Sequence, residues 1–297
     1  MPTSKTQAAP KPKAKKPTAA KKKRKQPAAP KTPALTAKTA DKHKLYQYSV
    51  QSTKEDVRFM TRVYKAARGR VPLHFREDFC GTALLSAAWV KRGSDYTAEG
   101  FDICTDTLAW GKTNNLEPLG DDAKRVKLHP KDVRAKSTKK PDLRCAQNFS
   151  YFVFRERQEM KDYFKSVLKD LAKDGVFVMD IYGGPDAMHE MEEEREIEEG
   201  FTYVWDQDQY WPATGEYRAY IHFRFEDGSE MNKAFTYEWR LWGLTEIIDL
   251  LREVGFANVD TYWEGTDKDG SSGNGIYRKH KRGENCDAWV TYIVASK

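Results

Sequence analysis

The sequence is poor in the residues that metal and disulfide chemistry require. Its four cysteines lie far apart without a Cys-x-x-Cys pair, and its six histidines show no metal-ligand spacing. Widely separated cysteines are typical of free thiols in a reducing compartment, so we expect a cytoplasmic protein without a bound metal. No apolar run approaches the roughly 18 residues of a membrane span, and the N-terminus carries no apolar signal segment. We therefore expect no membrane partner.

Positive charge is distributed unevenly along the 297 residues. Residues 1–44 contain 14 Lys or Arg and one acid, with Ala, Pro and Thr filling most of the rest. Such a segment cannot bury enough apolar surface to offset chain entropy, so we predict a disordered basic tail over residues 1–44. The whole chain carries +7 and the tail +13, which leaves about −6 for the body, residues 45–297. The tail is suited to non-specific nucleic-acid contact, whereas an acidic body argues against a nucleic-acid-reading cleft.

Strand and helix patterns alternate through the first half of the body. Apolar residues at helical spacing predict helices over 56–67, 83–91, 105–116 and 156–173. Short apolar runs predict a first strand that begins after Pro72, and further strands near 97–103, 125–128, 142–147 and 176–182. This alternation predicts an α/β fold with a parallel, doubly wound sheet.

The pattern changes after residue 185. Residues 186–199 are rich in Glu and are interpreted as a solvated helix. Three strand-like segments follow at 201–210, 216–226 and 230–240, joined by Gly-containing turns, so we predict an antiparallel insert over 186–240. The remaining elements are a helix over 244–254 and a strand pair, 256–263 and 288–295, around a Gly/Ser-rich loop at 265–275.

The connection between the first strand and its helix, residues 77–83, suggests a ligand site. A turn of small residues lets backbone N–H groups approach a ligand, and Asp102, at the end of the next strand, is placed to accept ribose hydroxyls. The turn lacks the Gly-x-Gly-x-x-Gly pattern, which argues against a dinucleotide-dependent dehydrogenase. The alternative is an ordinary strand-to-helix turn, with Asp102 as a solvent-facing turn acid.

Residues 77–83 resemble the Glu-x-Gly-x-Gly-x-Gly loop of class I S-adenosylmethionine-dependent methyltransferases, with Phe79 and Ala83 in place of two glycines. The resemblance extends over residues 45–297, and segments 45–51 and 108–111 are similar to a bacterial subgroup of this family, which implies no particular substrate. It implies a Rossmann-like sheet of seven strands, the seventh antiparallel beside the fifth. It also implies S-adenosylmethionine as the cofactor and methyl transfer as the activity.

The resemblance further implies a set of cofactor-binding residues. Asp102 would bind the ribose, and Asp132 would accept from the adenine amino group unless it is an ordinary loop acid. The full set is Tyr46, Tyr48, Arg76, Glu77, Cys80, Gly81, Thr82, Asp102, Ile103, Asp132, Val133 and Asn148. Arg76 is placed to pair with the donor's carboxylate or, equally, with Glu77 or Asp78. Tyr46 and Tyr48, upstream of the first helix, either cover the cofactor or pack that helix down.

Residues after the fourth and fifth strands lie where the family places the methyl group and its acceptor. We take Asn148, Ser150 and Tyr182 as candidate catalytic residues, and Phe149, Arg218, Trp239 and Arg240 as candidate substrate-binding residues. The Pro-Pro and Pro-Cys signatures of DNA base methyltransferases are missing. The many aromatic residues of the insert form either an acceptor pocket or one packed face of a sheet.

We therefore expect S-adenosylmethionine-dependent methyl transfer to a small molecule or to an accessible protein side chain. A second hypothesis is a nucleic-acid-associated protein whose basic tail binds DNA or RNA and whose domain methylates RNA or a nucleoid component. A third is a cofactor-binding fold that has lost activity. The acidic body favours the first hypothesis and the tail favours the second.

Overall fold

A computed structural model of the chain describes residues 35–266 and 273–297. The predicted tail up to residue 34, and the part of the predicted Gly/Ser-rich loop over residues 267–272, lie outside the described residues. The helices are α1 (Lys42–Val50), α2 (Thr53–Arg68), α3 (Leu84–Val90), α4 (Thr105–Gly111), α5 (Arg157–Asp170) and α6 (Leu244–Val254). The strands are β1 (His74–Asp78), β2 (Thr97–Asp102), β3 (Val126–Pro130), β4 (Leu143–Ala146), β5 (Val176–Gly183), β6 (Met191–Ile197), β7 (Phe201–Trp211), β8 (Glu216–Phe225), β9 (Glu230–Arg240), β10 (Asn258–Thr266), β11 (Gly273–Lys279) and β12 (Trp289–Ser296).

The larger sheet has the order β11-β10-β12-β5-β4-β1-β2-β3. Strands β1 to β5 are parallel, and β12 is antiparallel to both β5 and β10. This confirms the predicted Rossmann-like sheet, including the antiparallel strand beside the fifth. The hairpin partner β11, which lies partly where we predicted a loop, adds an eighth strand at the edge. The strand order reverses between β1 and β4, and ligands of open α/β sheets bind at the carboxyl ends of the strands at such a point.

Helices cover both faces of this sheet. Phe177 and Met179 of β5 pack with α5 and α6, whereas the alternate residues Val176 and Val178 pack with α2 and α3. The strand is therefore apolar throughout, as expected of a parallel strand that is buried on both sides. Among the helices of the described residues, none is both long and apolar enough to cross a membrane.

The insert between β5 and α6 is a second sheet, with antiparallel order β6-β7-β8-β9. Three of its strands were predicted, but the helix predicted over 186–199 was wrong. A short 3-10 turn, Pro185–Met188, leads instead into β6 at the sheet edge. Glu192 and Glu194 lie on one face of β6 and form ion pairs with Arg224 of β8. Charged side chains are typical of edge strands, where they oppose association of one sheet with another.

Helix α1 begins inside the predicted tail, so the boundary at residue 44 was wrong. The carboxylate of Asp41 caps this helix by accepting from the N–H groups of His43 and Lys44 at 2.9 and 3.1 Å. Leu45 is buried against aromatic residues of the insert such as Phe223. An aspartate N-cap and a buried apolar residue make this segment part of the folded body.

Two arginines on neighbouring strands form a fully buried ion network. Arg76 of β1 and Arg144 of β4 stand side by side in register, and neither is exposed to solvent. Their Nε atoms donate to the two oxygens of Asp78 at 2.8 and 2.6 Å. Both guanidinium groups also reach Asp170 of α5, at 3.0 and 3.3 Å. Two cations face two carboxylates, so this part of the core is neutral.

Asp78→Asn keeps the side-chain volume but leaves one buried positive charge without its partner. We expect the free energy of unfolding to fall by about 3–5 kcal/mol, as for other broken buried pairs. The matched control is Asp132→Asn, which removes an exposed ion pair with Arg134 and should cost about 0–1 kcal/mol. Urea unfolding of both variants measures the difference. Equal losses would show that the buried network does not stabilise the fold as described.

Candidate active site

The turn between β1 and α3 contains three residues in the left-handed backbone region. The angle φ is 54° at Phe79, 49° at Gly81 and 55° at Ala83. Residues other than glycine lose about 1–2 kcal/mol in this region, so the surrounding packing must hold Phe79 and Ala83 there. Ala83 is fully buried, and its N–H donates to the Cys80 carbonyl at 2.7 Å. The turn thus keeps a glycine-like shape at the two positions where glycine is missing.

Asp102 lies at the carboxyl end of β2, beside this turn. One carboxylate oxygen accepts from the N–H of Gly81 at 2.8 Å, and the other accepts from the N–H of Cys104 at 2.8 Å. A carboxylate offers roughly four acceptor positions, so about two stay free. The side chain is therefore fixed by the backbone and still able to accept two further hydroxyl groups.

Ile103 follows Asp102 and presents an apolar side chain to solvent. It is 76% exposed, although it is a large aliphatic residue. Burying such a side chain under a flat apolar ligand would be worth roughly 1.5–3 kcal/mol. An exposed isoleucine beside a carboxylate with free acceptor positions is what a nucleoside site requires.

Helix α1 joins the turn to the insert. The amide of Gln47 donates to the Thr82 hydroxyl at 2.8 Å, and the Trp110 indole donates to Asp41 at 2.7 Å. The two tyrosines predicted upstream of the first helix lie within α1. Tyr46 packs against the aromatic residues of the insert, and burial raises its pKa to about 12. Tyr48 is half exposed. Tyr46 thus packs against a different element from the predicted one, the insert and not the helix predicted over 56–67, and of the two tyrosines Tyr48 is the one exposed enough to meet a ligand.

Glu77 and Cys80 turn their side chains into the protein. Glu77 accepts from the N–H and the hydroxyl of Ser86 at 2.9 and 2.6 Å, and burial raises its pKa to about 8. The Cys80 thiol is buried against Gly100, where a Cβ atom would come within 2.8 Å of the sulfur. Burial also raises the pKa of this thiol well above its ordinary value. Both side chains are therefore buried beneath the turn, and neither is exposed at the candidate site.

A second strained turn follows β4. Asn148 and Phe149 both have φ of 56°, and their N–H groups donate to the carboxylate of Asp180 on β5 at 2.8 and 3.0 Å. Burial raises the pKa of Asp180 to about 7. The Ser150 hydroxyl donates to the Gln147 carbonyl at 2.9 Å, within the same turn. Left-handed residues other than glycine thus occur after both β1 and β4, the two strands at which the sheet order reverses.

The insert lies over the carboxyl ends of β4 and β5 and contributes to an aromatic cluster there. Its members are Phe149, Phe152, Tyr182, Tyr217 and Trp239. Phe149 and Tyr182 have ring centroids 4.6 Å apart, and Phe152 and Trp239 are 5.8 Å apart. The hydroxyls of Tyr182 and Tyr217 make no hydrogen bond of good geometry among the described residues, although they lie close enough to shift each other's pKa. Each hydroxyl therefore has hydrogen-bonding capacity that a ligand could use.

Comparison with known proteins supports the fold. No model of a protein family matches the chain, and no curated protein matches its sequence significantly. A solved S-adenosylmethionine-dependent methyltransferase from Clostridium acetobutylicum matches with a TM-score of 0.61 and 17% identity, over 85% of this chain and 94% of that one. The chain has the methyltransferase fold.

Two further solved structures share this methyltransferase fold. One is an S-adenosylmethionine-bound amino pentose methyltransferase of calicheamicin biosynthesis from Micromonospora echinaspora, with a TM-score of 0.59, 15% identity and coverage of 86% of this chain and 95% of that one. The other is a sugar N-methyltransferase from a Streptoalloteichus species, with a TM-score of 0.56, 15% identity and coverage of 91% and 96%. Identities this low establish the fold of this chain and leave its acceptor open.

Within the methyltransferase fold, Arg76 in the middle of β1 takes the second of its two predicted roles, the pairing with Asp78, and the candidates just beyond β3 need correction. Arg76 was a candidate for the donor's carboxylate, but its guanidinium is fully buried and bound to Asp78 and Asp170. Asp132 is exposed just beyond β3, where we predicted it, but Arg134 chelates its carboxylate at 2.9 and 2.6 Å. Val133 is buried, and its carbonyl accepts from Arg144 at 2.7 Å. Arg76 is therefore a structural residue, and Asp132 has only part of its acceptor capacity left.

Of the two arginines proposed for the acceptor, Arg218 borders a cavity beside the aromatic cluster and Arg240 does not. Neighbouring residues of a strand point to opposite faces, so Arg218 and Arg240 lie on the faces opposite Tyr217 and Trp239. Arg218 donates to Asp208 at 2.5 Å, and it borders a cavity of about 90 Å³ that also touches Tyr217 and Trp239. Arg240 donates to Glu246 of α6 at 3.1 Å. Arg240 therefore fixes the insert to the next helix and does not belong to the pocket.

Two histidines in strands of the larger sheet form hydrogen bonds with the buried carboxylate of Glu99. The Nε2 atoms of His74 and His129 lie 3.2 and 2.8 Å from the carboxylate of Glu99. Burial alone would raise the pKa of Glu99, but hydrogen bonds from His74 and from Thr138 hold it below its ordinary value. Within residues 35–266 and 273–297, no group of three or more His, Cys, Asp or Glu side chains is arranged to hold a metal ion.

Several residues at the carboxyl ends of the strands were not predicted from the sequence. Asp180 supports the turn after β4, and an acid inside the apolar run of residues 176–182 was the available signal. Gln47 and Phe152 carried no signal, because a glutamine in an unassigned segment and one more aromatic residue after a strand are both common.

The buried Glu77 makes a testable contribution to stability. Its pKa is raised from an ordinary value of 4.5 to about 8, so the folded state holds this proton longer than the unfolded state. The stability from this group is fully present below pH 4.5 and is lost as the pH rises through about 8. Glu77→Gln should reduce that loss by a few kcal/mol, at about 1.4 kcal/mol for each unit of pKa shift.

Chemical denaturation at a series of pH values tests this. Asp180, whose pKa is also raised, adds a loss of the same sign, so the variant should keep part of the slope. Glu198→Gln, at an exposed position, is the matched control and should leave the slope unchanged. Identical slopes for Glu77→Gln and the unmodified protein would show that folding does not raise the pKa of Glu77.

Proposed function

We propose that the chain is an S-adenosylmethionine-dependent methyltransferase that acts on an amine of a small molecule. The observation that carries the proposal is Asp102 beside the exposed Ile103, at the end of β2 and next to the left-handed turn. This pair occurs in a fold that the solved methyltransferases share, at the edge where open α/β sheets bind ligands.

The residues at this edge fit the adenosine part of the cofactor. Asp102 would accept from the ribose hydroxyls through its free acceptor positions, and Ile103 would pack against the adenine. Gly81 would bring the backbone close to the ligand, because a Cβ atom there would meet only Thr107, at 3.9 Å. Tyr48 would cover the site from α1. When bound, the cofactor supplies a methyl group on a sulfonium centre.

The acceptor would lie between the turn after β4 and the insert. The aromatic cluster contains no charged side chain, and aromatic faces attract ammonium groups. Two solved relatives by fold act on an amino pentose and on a sugar nitrogen, which supports an amine here. The cavity beside Tyr217 and Trp239, about 90 Å³, has room for a small group, and its other side is lined by charged residues of both signs, Arg155, Glu216, Arg218 and Glu238.

The cluster offers no ionised base. Burial raises the pKa of Tyr182 well above its ordinary value of 10, so its hydroxyl stays protonated and acts as a hydrogen-bonding group. Asp180 uses its carboxylate to hold the N–H groups of Asn148 and Phe149. Burial against the aromatic side chains would lower the pKa of a bound amine and so leave its lone pair free without a dedicated base. Asn148, Ser150 and Tyr182 then position the acceptor and exclude water.

Methylation of RNA or of a nucleoid component is the second candidate function. The 14 basic residues among residues 1–44 favour this function. An accessible protein side chain is a further class of acceptor. Incubation of the protein with tritiated S-adenosylmethionine and fractionated cell extract separates these outcomes. We expect label in the small-molecule fraction. Label in RNA or protein alone would overturn the small-molecule proposal.

Asp102→Ala should weaken S-adenosylmethionine binding. It removes hydrogen bonds to a charged acceptor, which are worth roughly 1.5–3 kcal/mol, or about 10- to 150-fold in affinity. Asp106→Ala, an exposed acid on α4 with the same charge change, should bind normally. Isothermal titration calorimetry measures both. An unchanged affinity of Asp102→Ala for S-adenosylmethionine, with the melting temperature preserved, would show that Asp102 does not bind the cofactor.

Tyr182→Phe should impair turnover and leave cofactor affinity within a few-fold. It removes only a hydroxyl that makes no hydrogen bond of good geometry within the protein, so the fold should tolerate it, and the lost contact to the acceptor corresponds to about 10-fold in kcat/KM. Tyr220→Phe is the matched control, because Tyr220 lies on the opposite face of the insert near His222. Full activity in Tyr182→Phe would show that the aromatic cluster has a purely structural role. Trp239→Ala is less informative, since truncating a buried tryptophan costs about 3–5 kcal/mol of stability.

A further inference from the structure

A second groove, lined by none of the candidate active-site residues, is lined mainly by basic side chains. It lies between α2 and the end of α3 and has a volume of about 670 Å³. Five of its eight lining residues are Lys or Arg and none is acidic, although the folded body as a whole carries about −6. The basic residues are Lys54, Arg58, Arg62, Lys65 and Arg92. A local excess of positive charge on an acidic body indicates an anionic partner.

The spacing of these charges fits a chain of phosphates. Lys54, Arg58 and Arg62 are four residues apart on α2, which places successive side chains about 6 Å apart along the helix. Lys54 and Lys65 are separated by about 16 Å on the same helix. A row of cations of this length matches several consecutive phosphates of a nucleic-acid strand.

The cations of the groove differ in how far they are already engaged. The guanidinium of Arg92 lies 4.6 Å from the ring of Trp89 and 4.2 Å from that of Tyr96, so these two rings hold it against the protein. Arg58 meets only the exposed Glu55, at 3.7 Å, which is a weak pair in water. Arg62 is partly engaged, because it donates to the Tyr277 carbonyl.

We propose that this α2 groove binds the sugar–phosphate backbone of nucleic acid, independently of the methyl-transfer site. The basic residues of segment 1–44 carry charge of the same sign, so both regions favour the same partner. A second copy of the chain is a weaker fit, because the acids Glu192 and Glu194 of its acid-rich strand are already paired with Arg224. The α2 groove lies on the face of the larger sheet opposite α5.

The test uses the full chain and a fluorescein-labelled, mixed-sequence single-stranded RNA of about 20 nucleotides. Fluorescence anisotropy at several KCl concentrations gives the slope of log Kobs against log[KCl]. The triple variant Lys54→Gln, Arg58→Gln, Lys65→Gln removes three exposed charges and should reduce the magnitude of the slope by about 2. At about 0.1 M KCl this corresponds to roughly 100-fold weaker binding.

The matched control is Lys165→Gln, Lys169→Gln, Lys173→Gln, which makes the same change in net charge at exposed positions of α5 and the turn after it. It should leave the slope unchanged. Equal slopes for the two triple variants would overturn the proposal and assign RNA binding to the tail or to net charge alone. Loss of self-association, or of binding to phosphatidylserine vesicles, without a change in the RNA slope would assign the groove to another partner and also contradict it. S-adenosylmethionine affinity, measured on the same variants, reports separately on the proposed function.

Discussion

The buried pairing of Arg76 and Arg144 with Asp78 and Asp170 is the constraint on which the site depends. Charges in a protein core are tolerated only when they are matched and hydrogen-bonded, and here each guanidinium bridges the same two carboxylates. The network joins β1, β4 and α5 at the point where the strand order reverses. It also binds the carbonyl of Val133, beyond the end of β3. The network therefore fixes the positions of β1, β4 and Val133 relative to one another near the carboxyl ends of the strands.

A fixed edge explains how the two strained turns persist. Phe79 and Ala83 after β1, and Asn148 and Phe149 after β4, adopt left-handed backbone angles that favour glycine. Each turn is held by a carboxylate from the neighbouring strand, Asp102 for the first and Asp180 for the second. The cost of these conformations is offset by packing and hydrogen bonds, and the two turns form an edge between the proposed nucleoside site and the aromatic cluster.

Local patterns in the sequence predicted most of the sheet, and they predicted the place of Asp102 from its position at a strand end. They failed where distant contacts decide the outcome. The acid-rich segment 186–199 has high helix propensity, but pairing with β7 and the charge of Arg224 make it an edge strand. The sequence left two roles open for Arg76, because its partner Asp170 is 94 residues away in sequence and could not be identified from it. Helix α1 is short, and its packing on the insert cannot be inferred from the sequence of the helix itself.

The most direct test of this account is a crystal structure of the protein grown with S-adenosylhomocysteine. We expect both ribose hydroxyls within hydrogen-bond distance of Asp102 and the adenine packed on Ile103. We also expect Arg76 and Arg144 to keep their bonds to Asp78 and Asp170. A ligand bound elsewhere, or an Arg76 released from Asp78 to bind the ligand's carboxylate, would contradict the separation of a structural ion network from the binding edge above it.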